Sequence, residues 1–306
     1  MKILFLTFTG TRNTEICGNF LAKHFNEAGH EVFHYVYSAK APLDKNVNDF
    51  DMIGFGYPIH AFNTPEVFHK WIKSLPEVNN IPYFIYKVSG EPFHFNDASS
   101  NHFVKVLNKK GYKKVAEKHF LMPYNIMFRY KDEIAKQMYL YLDALTELFV
   151  KEIIAEDYEV IKYSFPKKVL SFLFRIEWIA PKVNAPLVGF NKKCSRCNMC
   201  IKNCPTSALY INKRNKIKIH PSKCAMCMRC TFNCPTNAIR FGIMNPWKVN
   251  GEYKYEKLVR DTSINPNYIN DQTKGYFRKF NWYFKKQNEL LKKYKIENPI
   301  KDYLDK

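Results

Sequence analysis

The sequence predicts an α/β protein: a doubly wound parallel sheet of strand order 2-1-3-4-5, followed by a small α+β unit built around cysteines. Three observations predict it. Over residues 1–160 short apolar runs alternate with amphipathic stretches, the pattern of strands joined by crossover helices. The first run, KILFLTF at 2–8, is continuous rather than alternating, as a central strand covered on both faces requires. Beyond residue 187 this pattern gives way to two cysteine-rich units that begin thirty positions apart.

The strand at 2–8 leads through TGTRNT (9–14) into a helix ending near Gly29. Thr, Gly and Asn before a helix start present N–H groups and hydroxyls to an anion, with the helix dipole behind them. Thr14 is placed to cap the helix and Glu15 to favour its first turn. The same residues equally suit a capped βα turn with no ligand. Glu31–Tyr37 reads as the second strand. Asp51–Gly56 is the third, followed by YPIHAFNTP and a helix over Pro65–Leu75. Ile81–Val88 is the fourth, followed by SGEPFHFND and a helix near Ser99–Lys110. Lys114–Leu121 is the fifth, and a long helix over Asp132–Tyr158 closes the unit. In the order 2-1-3-4-5 the ligand lies beyond the strand C-termini at the switch point. Three loops leave that edge: 9–14, 57–63 and 89–96. The last two hold Tyr57, His60, Phe62, Phe93, His94 and Phe95, which suit a flat heteroaromatic ring or simple packing.

From Cys194 to Phe241 the chain reads CSRCNMCIKNCPTSALYI and then, after a dozen residues, CAMCMRCTFNCPTNAIRF. Over eighteen aligned positions eight are identical: the four cysteines and Asn203/Asn233, Pro205/Pro235, Thr206/Thr236 and Ala208/Ala238. Each unit has the form C-x2-C-x2-C-x3-C-P, the spacing with which bacterial ferredoxins hold [4Fe-4S] cubes. Three closely spaced thiolates point at one cube, and the fourth, at a helix start, reaches the other. The following proline opens that helix without losing a needed N–H. Cluster I is therefore expected on Cys194, Cys197, Cys200 and Cys234, and cluster II on Cys224, Cys227, Cys230 and Cys204. Disulfides are not expected: no secretory signal is read, and eight cysteines crowd into 41 of 306 residues. Zinc knuckles come as separated C-x2-C pairs, not as complete four-cysteine runs.

The chain carries 48 Lys and Arg against 28 Asp and Glu, a formal net charge of +20. Residues 1–150 hold 17 basic and 15 acidic side chains; residues 151–306 hold 31 and 13, with no carboxylate between Glu177 and Glu252. Cations near the cubes offset their negative charge and raise their potential. The surplus predicts an acidic redox partner steered by charge, and a compositional bias toward Lys and Asn explains it equally well. Nucleic acid is not expected, because no nucleic-acid-binding signature accompanies the charge. No run reaches the eighteen apolar residues of a membrane span, and MKILFLTFTG reads as a strand rather than a signal, so a cytoplasmic protein is expected. Cys17 reads as a small buried apolar residue. The nine histidines show no metalloprotease grouping, and no Ser-His-Asp set or carboxylate pair stands out.

With these motifs in place a resemblance is specific. FTGTRNTEI resembles the phosphate loop of flavodoxins, GFGYPIHAFNTPEVFHKWIKSLP their flavin-flanking loop and following helix, and KVSGEP, VLNKKGY and MPYN (122–125) their third loop and fifth strand. Residues 1–245 resemble the prokaryotic fusions of a flavodoxin-like domain to a two-cluster ferredoxin (EFR family ferrodoxins). That resemblance implies FMN in the first domain and two [4Fe-4S] clusters in the second. It implies that Thr9, Gly10, Thr11, Asn13 and Thr14 hold the FMN phosphate, and that Pro58, His60, Ala61 and Phe62, with Ser89 and Gly90, flank the ring. A second glycine is common where this chain has Arg12; Arg12 either pairs with the phosphate or needs a backbone shape the loop does not offer.

The expected organisation is a flavodoxin-like FMN domain over 1–160, a linker over 161–186, a ferredoxin domain over 187–245 and a basic, aromatic extension over 246–306. In the linker, Pro166, Pro181 and Pro186 bracket VLSFLFRIEWIA. It reads as a helix clamped between domains, or as a helix docking on a membrane surface or partner beside Lys167, Lys168 and Arg175. The extension should be helical over Thr273–Tyr294 and pack on the ferredoxin unit or over a junction. The expected function is electron transfer between two cubes and FMN. Its rivals are a flavin-dependent reductase of a small acceptor and a redox-dependent binder whose flavin loop is empty.

Overall fold

The computed structural model describes residues 1–158, 161 and 163–304. Five strands, β1 (Lys2–Thr7), β2 (Glu31–Val36), β3 (Met52–Pro58), β4 (Pro82–Ser89) and β5 (Lys113–Leu121), form one parallel sheet in the order β2-β1-β3-β4-β5. That is the flavodoxin-like order. The strand ends move by a residue or two from the sequence reading. The largest change is at β3, which runs on to Pro58, so this proline ends a strand rather than opening a loop.

β1 explains the continuous apolar run. Ile3 and Phe5 pack on one face, with Phe25, Phe84, Leu148 and Phe149. Leu4, Leu6 and Phe8 pack on the other, with Phe55, Phe68, Ile72 and Phe103. Helices α1 (Asn13–Glu27) and α4 (Asp132–Ile154) cover the first face; α2 (Glu66–Lys73) and α3 (Asn101–Lys109) cover the second. α4 stops at Ile154, short of the expected Tyr158. The expected end of the first unit, residue 160, lies outside the described residues.

The linker forms α5 (Phe165–Leu173), a 3-10 turn (Phe174–Trp178), α6 (Ala180–Asn184) and a further turn to Leu187. In the cysteine unit β6 (Val188–Phe190) pairs antiparallel with β9 (Ile239–Phe241), and β7 (Leu209–Ile211) with β8 (Ile217–Ile219). The four-residue helices α7 (Met199–Lys202) and α8 (Arg229–Phe232) follow the second cysteine of each set. The repeat extends to the backbone. Arg196, Asn198 and Ser207 have positive φ, and so do Met226, Met228 and Asn237, their counterparts thirty residues on.

The C-terminal extension meets expectation at its start, where residues 247–251 bridge the cysteine unit and the loop after β5, and departs from it beyond. Its first residues hold the cysteine unit: Asn250 donates to the carbonyls of Thr231 and Cys234. Much of the rest, including α9 (Tyr255–Arg260) and α10 (Asn281–Lys293), packs on the outer face of α4, while Lys279 meets Glu91 and Trp282 stacks on His94 in the third loop. Tyr255 stacks on Tyr139 at 4.8 Å, Phe284 meets Tyr141 edge-on at 4.8 Å, and Gln137 exchanges two hydrogen bonds with the backbone of Ile269. α4 is thus buried between sheet and extension, which explains its length of apolar sequence. The regular helix is Asn281–Lys293, shorter than the expected 273–294, because a 3-10 turn occupies Gly275–Phe280.

Candidate functional site

The loop after β1 turns into α1 through Arg12, whose φ of 75° and ψ of −12° are left-handed. The helix therefore begins at Asn13, and Thr14 lies in its first turn instead of capping it. No side chain caps this terminus. Thr14 Oγ1 is left buried without a hydrogen-bond partner. A buried orphan hydroxyl beside the free N–H groups of a helix start is what an incoming phosphate oxygen would satisfy. Asn13 is engaged otherwise: its amide donates to Pro123 O, and its Oδ1 accepts from Tyr255. Thr11 Oγ1 accepts from Asn125. Arg12 adopts the shape glycine would take, and its guanidinium turns outward to Glu15 at 3.7 Å.

The second loop closes on a tight turn. His60 and Asn63 exchange backbone hydrogen bonds of 2.9 and 2.8 Å around Ala61 (φ 39°) and Phe62 (φ 63°). Two successive positive φ values in non-glycine residues are uncommon and cluster at ligand sites. Phe62 is steadied by Phe174 of the linker, edge-on at 5.0 Å. In the third loop the Ser89 hydroxyl is occupied by Glu91 O and His119 Nε2, so this residue offers backbone rather than side chain. A Cβ on Gly90 would lie 2.3 Å from the Tyr124 ring; glycine is what admits that ring to the site.

These loops meet around one cavity of about 510 Å³ beyond the C-terminal ends of β1, β3 and β4. Thr9, Gly10, Thr11, Asn13, Thr14, Pro58, His60, Ala61, Phe62, Ser89 and Gly90 all line it; Arg12 does not. Burial lowers the pKa of His60 to about 4, which keeps the imidazole neutral. The sequence reading misses Tyr124, Asn125, Phe174 and Glu177 on the same wall, because the fifth strand's exit and the linker come into place only through the fold. It also misses Met226, Cys227 and Met228, although the cysteine spacing singles out Cys227 for another reason.

The cysteine unit is locked to this wall. The Arg229 guanidinium donates to Gly10 O, Thr9 O and Asn203 O. Lys40 donates to the carbonyls of Ile201 and Lys202, both at 2.8 Å. Within the unit, Cys204, Cys224, Cys227 and Cys230 line one space, and Cys194, Cys197, Cys200 and Cys234 line a second. Ala208 N donates to Cys204 Sγ at 3.2 Å and Ala238 N to Cys234 Sγ at 3.3 Å. Both alanines are buried, so a small side chain lets the backbone N–H come this close to sulfur. Burial raises the thiol pKa of Cys200 to about 11 and of Cys224 to about 12, with neighbouring thiols adding to the effect. Such crowded thiols need positive iron to ionise. Among the described residues no three His, Cys, Asp or Glu side chains close up as one metal ion would require. The donor set is wholly sulfur and arranged around two separate spaces, and it suits cubes.

Residues 193–238 match the family model of the 4Fe-4S dicluster domain. A comparison with curated proteins finds no match. Among solved structures, the chain is similar to a flavodoxin from Streptococcus pneumoniae TIGR4, with 16% identity over 51% of this chain and 99% of that one at a TM-score of 0.37. It is similar to a cysteine-to-serine mutant of the flavodoxin from Pseudomonas aeruginosa, with 14% identity over 51% and 98% at 0.39. It is also similar to Flavodoxin 2 from Bacillus cereus, with 16% identity over 50% and 99% at 0.37. Strand order, rather than these scores, defines the fold: the chain joins a parallel sheet of flavodoxin-like order to a ferredoxin-type domain that matches the 4Fe-4S dicluster family.

Proposed function

We propose that the protein passes electrons between two [4Fe-4S] clusters and an FMN bound at the carboxyl edge of the sheet. The observation that carries this reading is one shared wall: Met226, Cys227 and Met228 line the same cavity as the phosphate-type loop. The phosphate would rest on Thr9, Gly10, Thr11 and Thr14 at the start of α1. The ring would lie among Pro58, His60, Ala61, Phe62 and Gly90. The eight cysteines would hold the cubes as two crossed sets. When bound, the cubes supply single electrons and the flavin couples them to two-electron chemistry. The protein's own part is position: Arg229 fixes the cysteine loop on Thr9 and Gly10, and Gly10 lets the two backbones touch. Cys197 is exposed, which marks the first cysteine set as the side open to an external redox partner.

Rapid mixing tests this. Protein is mixed anaerobically with a reduced one-electron donor, and cluster and flavin absorbance are followed separately. Flavin bleaching should trail cluster reduction at a rate independent of protein concentration. A rate proportional to protein concentration would mean that electrons cross between molecules, and the reading fails.

A second reading, reduction of a small acceptor, is favoured by a second cavity of about 510 Å³. It shares His60 and Glu177 with the first and reaches Cys224. Turnover of a small acceptor by the isolated protein, abolished by filling this cavity through Ser74→Trp, would establish it.

A further inference from the structure

The linker is folded with its polarity reversed. An ordinary surface helix turns apolar side chains to the core and polar ones to water. Here the polar groups face inward. Ser171 Oγ donates to Asn63 Oδ1 at 2.9 Å and is buried. Trp178 Nε1 donates to Thr64 O at 3.2 Å. Asn184 is buried, donating to Phe241 O and accepting from Ile243 N. The apolar groups face outward: Phe165, Phe172, Leu173, Ile176, Ile179 and Val183 are 55–76% exposed. Phe165, Phe172, Ile176, Ile179 and Val183 recur at steps of seven, four, three and four residues, with Leu173 next to Phe172, so they form one stripe along the segment. Leu187 and Ile243 extend it at 54% and 57% exposure; the Asn184 bond to Ile243 N holds Ile243 against the segment.

Other exposed apolar side chains, such as Phe95, Met127 and Ile211, lie outside this segment; a contiguous apolar stripe of this length marks an interaction site. Its charged border identifies what lies opposite. Lys168 and Lys182 are exposed beside it, Lys192 and Lys193 lie just beyond its end, and Arg175 rests over the Phe172 ring at 4.8 Å. The only carboxylate within 165–187 is Glu177, which faces the two cavities rather than the stripe; from neighbouring elements Glu66 lies 3.7 Å from Lys182 and Asp97 pairs with Lys167. Burial, with Glu66 adding to it, raises the Glu177 pKa to about 8, so at neutral pH Glu177 contributes little negative charge.

We propose that the segment 165–187 seats the protein on the surface of an anionic phospholipid bilayer, its apolar stripe among the acyl chains and its lysines among the headgroups. This is the signature of an interfacial helix: apolar on one side, cationic at the border, and far too short to span. Two copies packed stripe to stripe would bring like-charged rims together, each from a chain of net charge +20, so self-association is disfavoured. The segment also contacts the flavin-type cavity through Phe174. Seating would therefore hold that cavity close to the membrane surface.

The test is co-sedimentation of the cofactor-loaded full chain with vesicles of phosphatidylcholine alone and of phosphatidylcholine mixed with phosphatidylglycerol. Binding should be at least about tenfold tighter to the anionic vesicles and should weaken as salt rises. The double variant Phe172→Ser, Ile176→Ser alters only exposed side chains. It should lose binding about tenfold or more while visible spectrum and melting temperature stay unchanged. Lys168→Glu with Lys182→Glu should lose the anionic preference. Failure of the wild type to sediment with anionic vesicles overturns the proposal. So does equal binding by the double variant, or a wild-type dimer in solution that the double variant dissolves, which would assign the stripe to a second copy.

Discussion

A Cβ built on Gly10 would stand 2.3 Å from the carbonyl oxygen of Cys227. Two loops far apart in sequence, one ending the first strand and one wrapping a cysteine set, are in backbone contact. The neighbour is main chain, so it has no flexible end to move aside. Gly10→Ala must therefore push the cysteine loop back from the cavity. Overpacking of this kind costs about 1–3 kcal/mol, read as a lower melting temperature. In the rapid-mixing experiment flavin bleaching should slow while iron content holds. An unchanged melting temperature and rate would show that the contact does not matter.

Arg12 makes the opposite case. Its left-handed backbone costs about 1 kcal/mol relative to glycine, and among the described residues its side chain pairs with the partly exposed Glu15. Arg12→Gly should raise stability in urea unfolding by about that amount and leave FMN affinity unchanged. A tenfold or larger loss of FMN affinity would mean that the guanidinium swings in to pair with the phosphate.

Behind the third loop lies a buried ion cluster. Lys87 Nζ is 2.6 Å from Glu117 Oε1, both side chains are fully buried, and Lys114 reaches Glu117 Oε2 at 2.9 Å. Lys87 also donates to the carbonyls of Asn96 and Asp97, which pins the loop. Glu117→Gln strands a buried ammonium and should cost about 3–5 kcal/mol, with the third loop loosened to proteolysis. Burial alone would raise the Glu117 pKa, but the two lysines and Ser100 bring it down to about 2. A carboxylate with a depressed native pKa stabilises above its unfolded pKa of about 4.5 and loses that contribution as pH falls toward 2. Wild-type stability should therefore decline over that acid window, and the decline should be shallower in Glu117→Gln. Parallel acid profiles would contradict the assignment.

The contrast between Cys227 and Lys87 marks how far the sequence can be read. Cysteine spacing is local, so the two sets are legible from eighteen-residue repeats. β1 is legible because a strand buried on both faces has to be apolar throughout. The phosphate-type loop is legible by position, since it sits between a strand and a helix. Lys87 and Glu117 meet only because β4 and β5 pair in one register, with Ile85 opposite Glu117. No local pattern encodes that. Arg229 looks like one cation among many until the fold sets it against Thr9 and Gly10. The later part of the extension is not legible for the same reason: its aromatics match the outer face of α4, which is itself apolar on two sides. Thr14 reads as a cap because the left-handed turn at Arg12, which moves the helix start to Asn13, is not expected of arginine.

The most direct test of the account is the cofactor content of the whole chain purified without oxygen. About eight irons and about one FMN per chain are predicted. The electron paramagnetic resonance signal of the cube on Cys224, Cys227 and Cys230 should be the one damaged by Cys204→Ala. Iron-free protein, flavin-free protein that keeps its iron, or a Cys204→Ala variant that damages the other cube instead would contradict it.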